Sequence, residues 1–307
     1  MPYRLRLLCA ACCALFSSAA AAAAPDVVAS IAPVHGVVAR VMAGVGTPRL
    51  LTLPGASPHS YALRPSDARA LADADIVFWI GPELEQFLEK PLAALAGDAR
   101  KIALLRAPGL TVLPQREAGV HDDAAHGHGH GHDHGDAAVD PHVWLDPDNA
   151  AAMADAIAAA LTDIDAANAE AYAANAAAFR KDASALIERG RQALEPVRRR
   201  PVVVFHDAYQ YFEARFGLSV LGAVAATPEA PAGPRRLHAL QARAKAAAVG
   251  CVFIEPQFRR DRADVIAEAT DAHVATLDPL GAALTPGPAF YADLIGAMID
   301  AAAACGR

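Results

Sequence analysis

The chain has 307 residues, with 27 Lys plus Arg against 34 Asp plus Glu for a net charge of −7, and is 54% hydrophobic. At roughly 150 residues per domain this length predicts two domains, each with its own core; 77 of the residues are Ala, which buries little and favours helix. The acidic balance and the lack of a basic stripe exclude nucleic acid as a first partner, because phosphate backbones are bound by clustered Lys and Arg.

Residues 1–24 read as a secretory signal peptide. Arg4 and Arg6 supply the positive end, Leu5 to Phe16 the apolar stretch and Ser17 to Ala24 the small-residue cleavage region. That stretch is too short to span a membrane. Cys9, Cys12 and Cys13 leave with it, so two cysteines, Cys251 and Cys305, remain. In an exported protein an even pair reads as a disulfide, the alternative being two buried thiols.

Residues 25–147 predict an N-terminal α/β lobe. Val27 to Ile31, Arg49 to Leu53, Ile76 to Ile80 and Ile102 to Leu105 read as strands, and helices are expected near Val34 to Met42, Pro65 to Ala72 and Pro82 to Leu95. Strand and helix in alternation imply a parallel sheet with covered faces. Within this lobe, residues 121–136 form a low-complexity loop carrying His121, His126, His128, His130, His132 and His134 among Gly and Asp. Such a composition builds no core, while its imidazoles and carboxylates suit borderline metals.

Residues 148–198 predict a helical segment containing a long connector. Tyr172, Phe179 and Leu186 recur every seven residues on one face, and a helix from Ala166 to Glu195 would be on the order of 45 Å long. Residues 199–307 repeat the α/β pattern, with strands at Val202 to Phe205, Ser219 to Leu221, Cys251 to Glu255 and His273 to Leu277. Helices are expected near Ala208 to Phe216, Arg235 to Ala248, Asp261 to Ala269 and Ala289 to Ala303.

Ligands of open parallel sheets sit beyond the carboxyl ends of strands. His59 follows a strand in a Pro and Gly turn, while His206 and Asp278 end strands. His142 lies just past the histidine-rich loop. Two of the four come from each lobe, which predicts a site in the cleft between them. Three neutral imidazoles with a carboxylate or water make a tetrahedral zinc site with bonds of about 2.0 to 2.2 Å, whereas manganese prefers more oxygen ligands. Asp278 could equally cap a helix. His35, His238 and His273 read as residues without a ligand role.

The segments Leu53-Pro-Gly-Ala-Ser-Pro-His-Ser-Tyr-Ala-Leu-Arg-Pro-Ser-Asp67, Trp79-Ile-Gly-Pro-Glu-Leu-Glu85, Asp140-Pro-His-Val-Trp-Leu145, Phe205-His-Asp-Ala-Tyr209, Glu255-Pro-Gln-Phe258 and Thr276-Leu-Asp-Pro-Leu-Gly281 together resemble zinc-specific substrate-binding proteins of the ZnuA type, from ABC uptake systems. The resemblance runs in order along the mature chain. It implies two (β/α)4 lobes with parallel sheets joined by one rigid helix, in a periplasmic protein that carries Zn2+ as transported ligand to an inner-membrane permease with a cytoplasmic ATPase. It assigns the metal ligands to His59, His142 and His206 and the acidic cleft position to Asp278. It also implies a zinc-collecting loop and a Cys251–Cys305 disulfide. Manganese-type relatives carry a carboxylate where this chain has His206. Some zinc-type members have Glu directly before the first ligand His; here that residue is Pro58, which leaves Asp278, water or a loop His for the fourth position.

A monomeric carrier without enzymatic activity is therefore expected. Its affinity should fall as pH drops through the imidazole range near 6.5, since ligand His must be neutral. Because the loop directly precedes His142, it is expected to raise local zinc and pass ions inward. Deleting residues 121–136 should lower zinc uptake at scarce metal, and unchanged uptake would refute that role. The readings of other classes are a secreted zinc hydrolase with Glu255 as base, although no His-Glu-x-x-His occurs, a zinc buffer, and a manganese-type binding protein.

Overall fold

A computed structural model describes residues 24–116, 138–227, 230–231 and 233–305. The expected signal peptide, apart from Ala24, and all six loop histidines lie outside the described residues.

The first half alternates β1 (Val27–Ala29), α1 (Ala32–Val41), β2 (Arg49–Leu50), α2 (Pro65–Ala72), β3 (Ile76–Trp79), α3 (Glu89–Leu95) and β4 (Arg100–Ala103). The strands form a parallel sheet in the order β2-β1-β3-β4. All four residues of β3 are buried, which its Ile-Val-Phe-Trp run requires of a central strand covered on both faces. The helix expected from Pro82 begins only at Glu89. Pro91 has no N–H to give and is tolerated only in a first turn, and residues 81–85 instead fold around the Glu85 carboxylate, which accepts the Ile80 and Gly81 N–H groups at 2.8 and 3.1 Å.

Two helices follow, α4 (Pro147–Ile164) and α5 (Ala169–Leu194). The connector is thus the second arm of a helical pair, about 39 Å long at 1.5 Å per residue. Its buried stripe is Tyr172, Ala176, Phe179, Ala183, Ile187, Gly190 and Leu194, so of the expected heptad face Leu186 is only half-buried.

The second half comprises β5 (Pro201–His206), α6 (Gln210–Phe216), β6 (Ser219–Thr227), β7 (Ala230–Pro231), α7 (Pro234–Ala246), β8 (Cys251–Ile254), α8 (Asp261–Thr270), β9 (His273–Thr276) and α9 (Phe290–Ala304). Its sheet runs β7-β6-β5-β8-β9, parallel except for the short edge pairing of β7 with β6. The α/β class with two four-stranded parallel arrays is as expected.

The outer face of each sheet has a separate core. Val28, Val77 and Trp79 pack with Leu71, Leu88 and Leu92, and Val203 and Val252 pack with Leu240, Ala263 and Ile266. The inner faces share a single one, which joins Ile76 and Phe78 to Val204 and Phe253 through Tyr172, Phe179 and Tyr291. The bridge is therefore wider than one helix, because α9 packs on α1 as well as on α5. Gly36 makes that approach possible: a Cβ there would stand 3.0 Å from Phe290 Cδ1. A continuous close-packed core transmits strain and resists hinging. The expected disulfide is present, tying β8 through Cys251 to Cys305 at the end of α9.

Candidate metal centre

His206 is the last residue of β5 and is 3% exposed. Its Nδ1 lies 2.6 Å from Oε1 of Glu255, the buried residue that directly follows β8. His142 is held by its own chain: the Asp140 carboxylate accepts the His142 backbone N–H at 3.0 Å and the ring Nδ1–H at 2.7 Å. A carboxylate on Nδ1 fixes the neutral tautomer that leaves the lone pair on Nε2.

Those two Nε2 atoms stand 3.4 Å apart. Facing lone pairs at that distance repel unless a proton or a metal cation lies between them. Two Zn–N bonds of about 2.05 Å at the tetrahedral angle span about 3.4 Å, so the spacing matches that of a zinc site.

His59 supplies the third donor from the turn after β2. Its Nε2 is buried with no hydrogen-bond partner. Burial first, and then the neighbouring His142 and His206 rings, push its pKa down to about 3, so the ring is neutral across the physiological range. For His206, burial pulls the pKa down, but the Glu255 carboxylate and, farther off, Asp207 and Asp140 outweigh it, and the net shift is upward. Of the two, His206 is therefore the ring more readily protonated.

The three ligand atoms lie within 4.8 Å of one another, the one such gathering of His, Cys, Asp or Glu found among the described residues. Between them is a cavity of about 10 Å3, the room of a single water-sized body. Pro58, Trp144, Phe258, Pro279 and Leu280 line it with Ser57, so a cation entering must shed its water and take protein ligands in exchange. Trp144 is fully buried beside His142 and its Nε1–H donates to Pro279 O at 2.9 Å, a further tie between the two halves.

Asp278 is engaged elsewhere. Its Oδ1 accepts the Leu280 and Gly281 N–H groups at 3.0 Å each, and its Oδ2 accepts that of Ala282 at 2.6 Å, so the carboxylate closes the turn after β9 and stands outside the gathering of three donors. Of the remaining histidines, His35 is buried in α1 with Nε2 3.1 Å from Pro48 O, while His238 and His273 are exposed.

Asp140 and Glu255 escaped the sequence reading as orienting groups, although the first stands two residues before His142 in Asp-Pro-His, a spacing suited to a side chain that bonds its own backbone. Nothing local marks Glu255 as the partner of His206, since 49 positions separate them.

The family profile described as ZnuA, zinc-uptake complex component A periplasmic, matches residues 27–305. The chain is 38% identical over 293 residues to a high-affinity zinc uptake system protein ZnuA of Brucella abortus, covering 88% of each. It is 36% identical over 291 residues to the corresponding protein of Yersinia pestis, covering 91% of this chain and 90% of the other. Among solved structures it resembles a crystal structure of ZnuA, with a TM-score of 0.78 and 27% identity over 92% of this chain and 100% of that one.

Proposed function

The chain belongs to the ZnuA family of periplasmic zinc-uptake components, and on that premise we propose that it captures Zn2+ on His59, His142 and His206 and hands it to an inner-membrane permease driven by a cytoplasmic ATPase. The observation that carries the ligand assignment is the pair of carboxylate-oriented imidazoles with their lone pairs 3.4 Å apart, beside a third buried nitrogen that has no partner.

The donor set selects the cargo. Three nitrogens in a small apolar cavity suit tetrahedral zinc, and an ion that prefers six oxygens finds neither the ligands nor the room. Because the backbone donors of residues 280–282 engage Asp278, the fourth position falls to water or a loop histidine. The hydrolytic reading loses its base: Glu255 is spent on orienting His206.

The shared inner core and the Trp144–Pro279 bond argue that the two halves stay in place and that zinc enters and leaves by movement of side chains and turns. The protein works from the periplasm, with its leader removed, and the six histidines of residues 121–136 act as an auxiliary collector.

Titration calorimetry of the mature protein with zinc and then manganese tests this reading. Tight binding of one zinc by the cleft, with manganese much weaker, is expected. Glu255→Gln keeps the shape but loses the anionic acceptor on His206 Nδ1, and should cost roughly 10- to 100-fold in zinc affinity. Undiminished affinity would remove Glu255 from the site.

A further inference from the structure

By chain order the segment carrying His142 belongs with the first sheet, yet its hydrogen bonds run to the second. Residues 113–115 pair with 138–140: the Asp140 N–H donates to Leu113 O and the Gln115 N–H to Ala138 O, each at 2.9 Å. The pair lies on α6. Tyr211 Oη accepts the Leu113 N–H at 3.0 Å and donates to Asp140 O at 2.7 Å, and Gln210 Nε2 donates to Pro114 O at 2.9 Å.

The outermost fastening is Arg116. Its guanidinium forks onto Glu213 at 2.7 and 2.8 Å and onto Asp207, to which Nε donates at 3.1 Å and Nη2 more closely. Asp207 directly follows the ligand His206, and the segment that Arg116 closes contains Asp140, which orients His142. The Asp207 and Glu213 side chains are 5% and 11% exposed and Arg116 is 24% exposed, so this two-carboxylate fork is partly dry and held in one geometry.

We infer that Arg116 is a positioning residue for metal capture, clamping the 113–116 and 138–142 strap to α6 so that His142 and His206 stand at their set spacing before the ion arrives. The inference rests on the reading of those histidines as zinc ligands. The clamp closes a path in which each member touches the next: His142, Asp140, the paired strap, Arg116, Asp207 and His206. It makes the two ligands a unit although they are 64 positions apart. Losing a preorganised geometry shows mainly as faster release.

Removal of Arg116 has two consequences of opposite sign, which makes the test decisive. With the guanidinium charge gone, the neighbourhood of the site becomes more negative and would hold Zn2+ longer. A relaxed strap would let it go sooner.

The experiment uses the full mature chain with Arg116→Gln and Arg116→Lys. Zinc release is followed by chelator chase, ligand geometry by the visible spectrum of the cobalt-loaded protein, and the strap by hydrogen exchange at the Leu113 and Asp140 amides in the metal-free protein. Arg116→Gln is expected to release zinc roughly tenfold faster, the scale on which outer partners act. It should also alter the cobalt bands and lower protection at the two amides, with a lower thermal midpoint of the metal-free protein, since two nearly buried carboxylates lose this partner. Arg116→Lys, which keeps the charge but not the fork, should restore part of each. Release at the wild-type rate or slower, with unaltered cobalt bands, overturns the inference. If Arg116→Gln does not fold, Arg116→Lys alone carries the test: it keeps the charge and loses the fork, so faster release with altered cobalt bands supports the inference and release at the wild-type rate overturns it. Failure of the underlying zinc reading looks different: His206→Ala would then bind zinc like the wild type, while exchange at Leu113 and Asp140 would still respond to Arg116→Gln.

Discussion

His206→Ala is expected to abolish tight zinc binding, lowering affinity by more than roughly 100-fold, the upper end of what loss of an orienting partner alone costs. His206 carries one of the three gathered nitrogens and is the member of the 3.4 Å pair held by Glu255. Its removal takes a ligand, opens the cavity and leaves the buried Glu255 carboxylate without its donor, which is costly in itself. His206→Gln fills more of the space and offers Glu255 a hydrogen bond, so it separates loss of ligand from loss of fold. His59→Ala is the cleaner control: its Nε2 has no protein partner, so its loss should spare the fold and still weaken zinc. Calorimetry and thermal unfolding of the three variants check these outcomes, and tight zinc binding by folded His206→Ala would defeat the site assignment.

The second large effect is on stability. Removing the Cys251–Cys305 disulfide by the double change Cys251→Ala and Cys305→Ala should cost about 4 kcal/mol, the chain-entropy value for a closed loop of this length. The separation of the two residues is 54. A domain has only about 5 to 15 kcal/mol in hand, so this is a large share. The bond ties β8, next to the Glu255 that orients His206, to the end of α9, the second bridging helix. Urea unfolding of the metal-free protein measures the loss, and reduction of the wild-type protein should reproduce it. A change within 1 kcal/mol, compared with that expected cost, would show that packing of α9 alone fixes this end. Saturating zinc should recover part of the loss in the variant, since a ligand that binds only the folded state stabilises it by mass action.

Much of this was legible because it is local. The central strands β3 and β5 are unbroken β-branched and aromatic runs, and α2 opens on Pro65 with Asp67 accepting the Arg64 N–H at 2.8 Å, a start signal written within four residues. Two of the candidate ligands could be picked out because His206 closes a strand and His59 follows one, and parallel sheets put such positions on one edge; His142 stood out by its place directly after the histidine-rich loop. The break before α3 was missed because a buried Glu85 outcompetes the helix that Pro82 suggested. The role of Asp278 was open for a related reason: a carboxylate at a strand end can bind a metal or close a turn, and the backbone N–H groups of residues 280–282 show that it closes a turn here.

The sequence by itself carried the alternation of strand and helix through periodicity, while the choice of His59, His142 and His206 as candidate ligands and the Cys251–Cys305 pairing came from residue chemistry together with the family resemblance. Tertiary structure alone decided that Glu255 orients His206, that the strap carrying His142 is fastened to α6 through Arg116, and that α9 joins α5 in one core across both halves. The reason is physical: these depend on which side chains meet across 49 to 111 positions of chain. Such contacts are set by packing of whole elements, and no local pattern of residues encodes them.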